Sequence, residues 1–203
     1  MRKRERMNRS STVLIVDDQQ DLADLFGIWL QEQFEVYVAY SGEDALEIFA
    51  EESIDIVLLD RQMPGLSGTD VLHSIRENGD AQQVIMVTAV QPTEELASIA
   101  VDEYLLKPTD RTTLLQAVEA AELVLTYEDS LTEFLSLTAR KATLEANLDR
   151  TALAKDDRYS NLLRKIRELE KDADTALQRL ETEYQVDMLV RDQRIGSRTV
   201  EQL

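Results

Sequence analysis

Five short apolar runs, each followed by a stretch with helical spacing, constrain this chain more than any other feature. They are Val13-Leu-Ile-Val16, Glu35–Ala39, Ile54-Asp-Ile-Val-Leu-Leu59, Val84-Ile-Met-Val87 and Tyr104-Leu-Leu106. Runs this apolar suit strands buried on both faces, and strands alternating with helices make βαβ units around a parallel sheet. The first helix is predicted to bury Leu22, Leu25, Phe26, Trp29 and Leu30. The second opens at Ser41-Gly-Glu-Asp44, a capping pattern, and the third carries Val71, Leu72 and Ile75. A short fourth helix is expected over 93–101, and Asp110 caps a fifth that runs through Leu114, Leu115, Val118 and Leu123. The predicted fold class is α/β, a doubly wound five-stranded parallel sheet over residues 12–125.

Polar residues fall where these strands end. In open parallel sheets ligands bind outside the carboxyl ends of the strands, and here those ends read Asp17-Asp18, Asp60, Thr88 and Lys107. Three carboxylates brought together repel one another, and a hard divalent cation resolves that repulsion. Mg2+ fits best, because it uses a few carboxylates, a carbonyl and water. A lysine ammonium and a threonine hydroxyl beside the cation suit the oxygens of a transferring phosphoryl group, and a carboxylate is a competent nucleophile toward phosphorus.

Composition narrows the chemistry further. The chain has 203 residues, 22 basic and 40 acidic, one His and no Cys, for a net charge of −18. Disulfides, thiolate catalysis and thiolate zinc sites are excluded, and a single His makes histidine metal clusters untenable. His73 lies on the third helix and is given no role. The charge partitions as +4 over 1–11, −19 over 12–125 and −3 over 126–203. With 16 Arg against 6 Lys, so general an acidic excess suits a salt-rich cytosol. No stretch is long and apolar enough to span a membrane and the basic N-terminus lacks a signal-peptide core, so a cytoplasmic protein is expected. The basic arm, residues 1–11, is expected to be disordered, and Met7 is an alternative start.

The order Asp17-Asp18, Asp60 with Met63-Pro64-Gly65, Thr88-Ala89, and Tyr104 three residues before Lys107-Pro108 resembles the receiver domains of two-component response regulators. The likeness covers about residues 12–125 and implies a flavodoxin-like fold. It implies that Asp60 accepts phosphate from a sensor histidine kinase, that Asp18 ligates Mg2+ directly and Asp17 largely through water, and that Gln62 adds its backbone carbonyl. It further implies that Lys107 pairs with the phosphoryl oxygens, that Thr88 hydrogen-bonds the phosphoryl group, and that Tyr104 changes rotamer as part of the switch. One departure stands out: 19 positions separate Thr88 from Lys107, so the fourth helix is short, and Ala100-Val101-Asp102 stands where receivers often carry a small Gly-Ala pair. The usual dimer through the fourth helix, fifth strand and fifth helix is thereby put in doubt.

From Thr126 the pattern becomes long and helical. A first helix is expected from about Tyr127 to Ala154, a polar break at Lys155-Asp-Asp-Arg158, and a second helix with a heptad seam. Tyr159, Ile166, Ala173 and Leu180 hold one seam position, and Leu162, Leu169 and Ala176 the other. Residues 126–190 are read as an all-α helical hairpin or coiled-coil module, folded back on itself in preference to pairing in a homodimer, and 191–203 as a frayed tail. The segment with Tyr127-Glu-Asp-Ser-Leu-Thr-Glu-Phe-Leu and Arg140-Lys-Ala-Thr-Leu-Glu resembles the HalX-type response regulators of haloarchaea, which are described as transcriptional regulators. Three functions follow, in this order. The first is a phosphorylation switch that signals through the helical module to a protein partner or dimer. The second is a DNA-binding regulator using the basic clusters Arg140-Lys141 and Arg164-Lys165-Arg167. The third is a Mg2+-dependent phosphotransferase or phosphatase, disfavoured because nothing after the receiver supplies a substrate pocket. A signalling protein, not an enzyme, is expected.

Overall fold

The computed structural model describes residues 11–77, 82–89 and 101–184. The expected short helix over 93–101, apart from Val101, most of the basic arm and the terminal tail lie outside the described residues. The described chain falls into two units, Met1–Glu122 and Leu123–Leu203.

In the first unit the strands are β1 (Thr12–Val16), β2 (Glu35–Ala39), β3 (Ile56–Asp60), β4 (Gln83–Thr88) and β5 (Glu103–Leu106). They form a five-stranded sheet in the order β2-β1-β3-β4-β5, with every neighbouring pair parallel. Every residue of β1, β3 and β4 is buried, whereas β2 and β5 are mostly half-buried or exposed. This follows from the sequence: the central strands are sandwiched between layers, and the edge strands retain polar residues such as Glu35 and Glu103. Asp55 and Gln83 flank this core at the amino end of the sheet, where the Asp55 carboxylate accepts a hydrogen bond from the Thr12 amide at 2.9 Å.

The flanking helices are α1 (Gln20–Leu30), α2 (Gly42–Glu51) and α3 (Gly68–Glu77). Ser41 caps α2 as its sequence predicts, its hydroxyl accepting from the Asp44 amide at 3.1 Å. On α3, Val71, Leu72 and Ile75 are buried and His73 is exposed. The stripe on α1 differs from expectation. Ala23, Phe26, Gly27 and Leu30 face the core at helical spacing, which leaves Leu25 exposed. Phe26 packs against Trp29 with ring centroids 5.6 Å apart.

Helix α4 spans Arg111–Asn147 without interruption. It starts where Asp110 accepts the Thr113 amide at 2.8 Å. A new helix at Tyr127 was the expectation from the change in sequence texture. No Gly or Pro lies between Arg111 and Asn147, so nothing breaks the ladder there. The expected helix to Ala154 ends instead at Asn147, because Asp149 takes an extended backbone and heads a single further turn, α5 (Arg150–Leu153). Asp156 then caps α6 (Asp157–Glu183) by accepting the Arg158 amide at 2.8 Å.

In the second unit the heptad seam of α6 is turned inward. Leu169, Ala173, Ala176 and Leu180 are buried and Tyr159, Leu162 and Ile166 half-buried, all within one chain. The Tyr159 hydroxyl donates to Glu145 of α4 at 2.6 Å, and the two helices pack together. No helix among the described residues is long and apolar enough to cross a membrane.

Candidate functional site

Strand register builds the site. Val16 of β1 is opposite both Ala39 and Leu59, so Asp17, one residue on, comes beside Asp60 at the end of β3. The Asp17 amide continues the ladder by donating to the Ala39 carbonyl at 3.2 Å. Across the sheet Thr88 pairs with Leu106, and the Lys107 amide donates to the Thr88 carbonyl at 2.8 Å. The carboxyl ends of four strands are thereby aligned. The strand order reverses between β1 and β3, which is where open α/β sheets form their binding crevice.

Lys107 reaches from the end of β5 across β4 toward β3 and β1, two and three strand spacings of about 4.8 Å away, and the Asp17 and Asp60 side chains meet it over the sheet end. Its Nζ donates to Asp17 Oδ2 at 2.6 Å and to Asp60 Oδ2 at 3.0 Å. Asp17 and Asp60 are buried, at 2% and 6% exposure, and Asp18 is half-buried. The three carboxylates offer oxygens that all lie within 4.8 Å of one another. Three carboxylates against one ammonium leave an excess equal to the charge of one divalent cation. An all-oxygen set of this charge suits a hard ion such as Mg2+ and not a soft one.

The electrostatics follow from that burial. Desolvation pushes the Asp60 carboxyl above its ordinary value and the neighbouring Asp17 adds to this, against the lowering pull of Lys107 and of the Gln62 amide. Burial acts to lower Lys107, but its hydrogen bonds to Asp17 and Asp60 outweigh it and hold the ammonium above the usual lysine range. The two groups are paired directly, Lys107 Nζ to Asp60 Oδ2 at 3.0 Å.

The other residues singled out from the sequence take these places. The Gln62 amide donates to Asp60 Oδ1 at 3.3 Å, as the Gln19 amide does to Asp17 Oδ1 at 3.0 Å. Thr88 is buried at the end of β4, with Ala89 exposed after it. Tyr104 pairs with Met86 on β5 and packs, half-buried, against the core. The Lys107–Pro108 peptide is cis.

One functional position was not singled out. Gly68, the first residue of α3, donates its amide to the Arg61 carbonyl at 3.1 Å, and a Cβ on it would lie 2.0 Å from the Asp60 carbonyl oxygen. Only glycine lets α3 start this close to the strand that carries Asp60. Ser67-Gly68 reads as an ordinary turn in sequence, and a glycine at the first turn of a helix is the signal that was available. Asp102 also gains a role: its Oδ2 accepts from Arg76 at 2.5 Å and from the Val84 amide at 2.8 Å, tying the approach to β5 onto β4 and α3.

Residues 13–119 match the response regulator receiver domain and residues 123–191 the HalX domain. Over 188 residues the chain is 35% identical to a Haloferax volcanii protein described as "Putative transcriptional regulator", a match covering 92% of this chain and 32% of that protein. The chain therefore spans about a third of the length of that relative. Among solved structures, the receiver domain protein (CheY-like) of Methanospirillum hungatei is similar with a TM-score of 0.56 and 25% identity, over 59% of this chain and 99% of the other. The response regulator TrrA of Thermotoga maritima, solved in complex with Mg2+ and BeF, is 35% identical with a TM-score of 0.50, over 54% of this chain and 96% of its own. With the matched sheet order and the matched domain spans, the chain belongs to the response regulator receiver family and carries a HalX domain after its receiver domain.

Proposed function

We propose that this chain is the phosphorylation-controlled switch of a two-component pathway, with Asp60 as the residue that accepts a phosphoryl group from a sensor histidine kinase. The observation that carries the reading is the Lys107 ammonium held on Asp17 and Asp60 together, beside Asp18, at the carboxyl ends of the sheet. Phosphoryl transfer needs an in-line nucleophile and fixed positive charge more than covalent help. One Asp60 oxygen attacks the phosphorus of the kinase phosphohistidine. The P–O bond forms as the P–N bond breaks, and the imidazole leaves with the electron pair and takes up a proton. Lys107 is released from carboxylate to phosphoryl oxygens, and the Thr88 hydroxyl hydrogen-bonds the same group. Asp17, Asp18, Asp60 and the Gln62 carbonyl would hold Mg2+, which when bound supplies positive charge to the transferring oxygens. Tyr104, packed on the core from β5, reports the new charge by a change of rotamer. Two arrangements of that face then differ in population with phosphorylation. Hydrolysis by water returns the carboxylate and inorganic phosphate.

For the output, the expectation of a protein partner or dimer stands beside transcriptional control on DNA. The description of the Haloferax volcanii relative favours the second. Intact-mass measurement after incubation with acetyl phosphate and Mg2+ in high salt tests the switch. A single phosphoryl adduct that requires both Asp60 and Mg2+ is expected, and its persistence in Asp60→Asn would refute the assignment.

A further inference from the structure

Helix α4 carries a seam that its own chain leaves uncovered. Thr132, Leu135, Ala139, Ala142 and Ala146 are all exposed and recur at alternating spacings of three and four, the pattern of a helix that pairs with another. They run about 21 Å along the side opposite the half-buried Phe134, Leu137 and Leu144. Leu135 is 58% exposed and the others are small, so one projecting side chain stands beside shallow ground. Glu128 and Asp129 close the strip at its N-terminal end. Beyond them neither the strip nor Ser136 and Thr143 beside it holds a charge, in a chain that is 31% charged. Glu133 and Arg140 lie together along one edge, and Lys141 and Glu145 lie behind. The Thr132 hydroxyl donates to the Glu128 carbonyl at 2.7 Å and the Thr143 hydroxyl to the Ala139 carbonyl at 3.1 Å, so a covering helix would strand neither.

We propose that this face of α4 pairs with the same face of a second copy of the chain, the two helices running antiparallel about a two-fold axis at the level of Leu137. The inference deepens the dimer reading of the output given above and rests on it. In this register Leu135 meets the partner's Ala139 and Thr132 meets the partner's Ala142, and two-fold symmetry makes each contact twice. The projecting leucine fills the ground over an alanine, which lets the helices approach closely. The edge residues select the direction. Neither Glu133 nor Arg140 makes an ion pair or a side-chain hydrogen bond among the described residues. The antiparallel register brings Glu133 beside the partner's Arg140, twice along one edge, whereas a parallel register sets like charge against like. Helices meeting over about four turns bury less than a permanent dimer does, so the pairing is reversible and the dilute chain is monomeric. Two copies of net charge −18 repel each other, and salt that screens this repulsion favours the pair. An unrelated apolar helix is the competing occupant, and it has no reason to present acid and base in the reversed order.

The test is sedimentation velocity of the full chain over a concentration series at several salt levels, with circular dichroism to check that each variant keeps wild-type helicity. Leu135→Glu is expected to weaken dimerisation about a hundredfold or more. Ile28→Glu is the control, because Ile28 on α1 is equally exposed at 59%, and it is expected to dimerise as wild type does. Glu133→Arg and Arg140→Glu each set like charges together twice and are expected to weaken the dimer about tenfold, most at low salt. The double reversal Glu133→Arg/Arg140→Glu is expected to restore it. A general effect of net charge would instead move the two single variants in opposite directions, since one lowers the negative charge and the other raises it. A dimer that survives Leu135→Glu, or single reversals that are not rescued by the double, would overturn the antiparallel face while leaving a dimer in place. A wild type that stays monomeric at every concentration and salt overturns both. Neither result bears on the phosphoryl adduct at Asp60, which is measured separately by mass.

Discussion

Gly68 stands against the backbone of Asp60 so closely that a single added methyl carbon would lie 2.0 Å from the Asp60 carbonyl oxygen and 3.0 Å from the Arg61 Cα. Alanine ordinarily gains up to about 1 kcal/mol over glycine in a helix. Here the clash is with backbone, which cannot turn aside, and overpacking of this kind costs about 1–3 kcal/mol. Gly68→Ala is therefore expected to lower thermal stability despite its helix propensity, and to slow acetyl phosphate labelling by moving the segment after Asp60. A variant as stable and as fast as wild type would show that α3 can slide without disturbing the site.

Asp60 makes a prediction about pH. Its folded pKa lies above the ordinary carboxylate value because of burial, so the native state binds its proton more tightly than the unfolded chain. Stability from this group is full below the ordinary value and falls as pH rises through the raised one. Asp60→Asn removes the loss. In metal-free buffer the variant is expected to melt above wild type at neutral pH, and the gap should narrow in acid. A gap that widens toward low pH would reverse the sign and refute the argument.

Lys107 occupies carboxylate oxygens that a divalent cation needs, at 2.6 Å and 3.0 Å. Lys107→Met leaves Asp17 and Asp60 buried without their counter-charge, a loss of about 3 kcal/mol for a broken buried pair. With the competitor gone, added Mg2+ should raise the melting temperature more in this variant than in wild type. Calorimetry with and without Mg2+ checks it, and a smaller shift in the variant would mean that the lysine assists cation binding.

Much of this was legible in sequence because the physics is local. β1, β3 and β4 read as strands since burial on both faces demands unbroken apolar runs, and Asp17, Asp60, Thr88 and Lys107 read as a site since each follows such a run directly. What escaped depends on distance in space. Leu25 is one position off the buried stripe of α1, and its apolarity alone placed it in the core. The close approach of Gly68 to Asp60 is set by how α3 lies, which spacing does not encode. The run of α4 from Arg111 through Asn147 crosses a change in composition but no helix breaker, and only the breaker matters to the hydrogen-bond ladder.

Asp102, in the segment that departs from the receiver pattern, accepts both from Arg76 and from the buried Val84 amide. Asp102→Ala strands a buried N–H and half of an ion pair, at a cost of about 2–3 kcal/mol. Asp102→Asn keeps an acceptor for Val84 and should lose less. Chemical denaturation of the two variants orders them, and equal losses would assign the whole effect to the charge pairing with Arg76.

In the helical unit the seam of α6 makes the sharpest contrast between two leucines. Leu169 is fully buried and Leu135 on α4 is 58% exposed. Truncating the first removes apolar contacts and leaves a cavity in a thin two-helix interface with few neighbours to collapse into it, for about 2–5 kcal/mol. Truncating the second should change stability by less than about 0.5 kcal/mol. Thermal melts followed by helicity are expected to show an earlier transition in Leu169→Ala and none in Leu135→Ala. If Leu135→Ala melts early instead, its side chain is covered in solution, and a second copy of the chain on that face of α4, detectable by sedimentation, would be the reason.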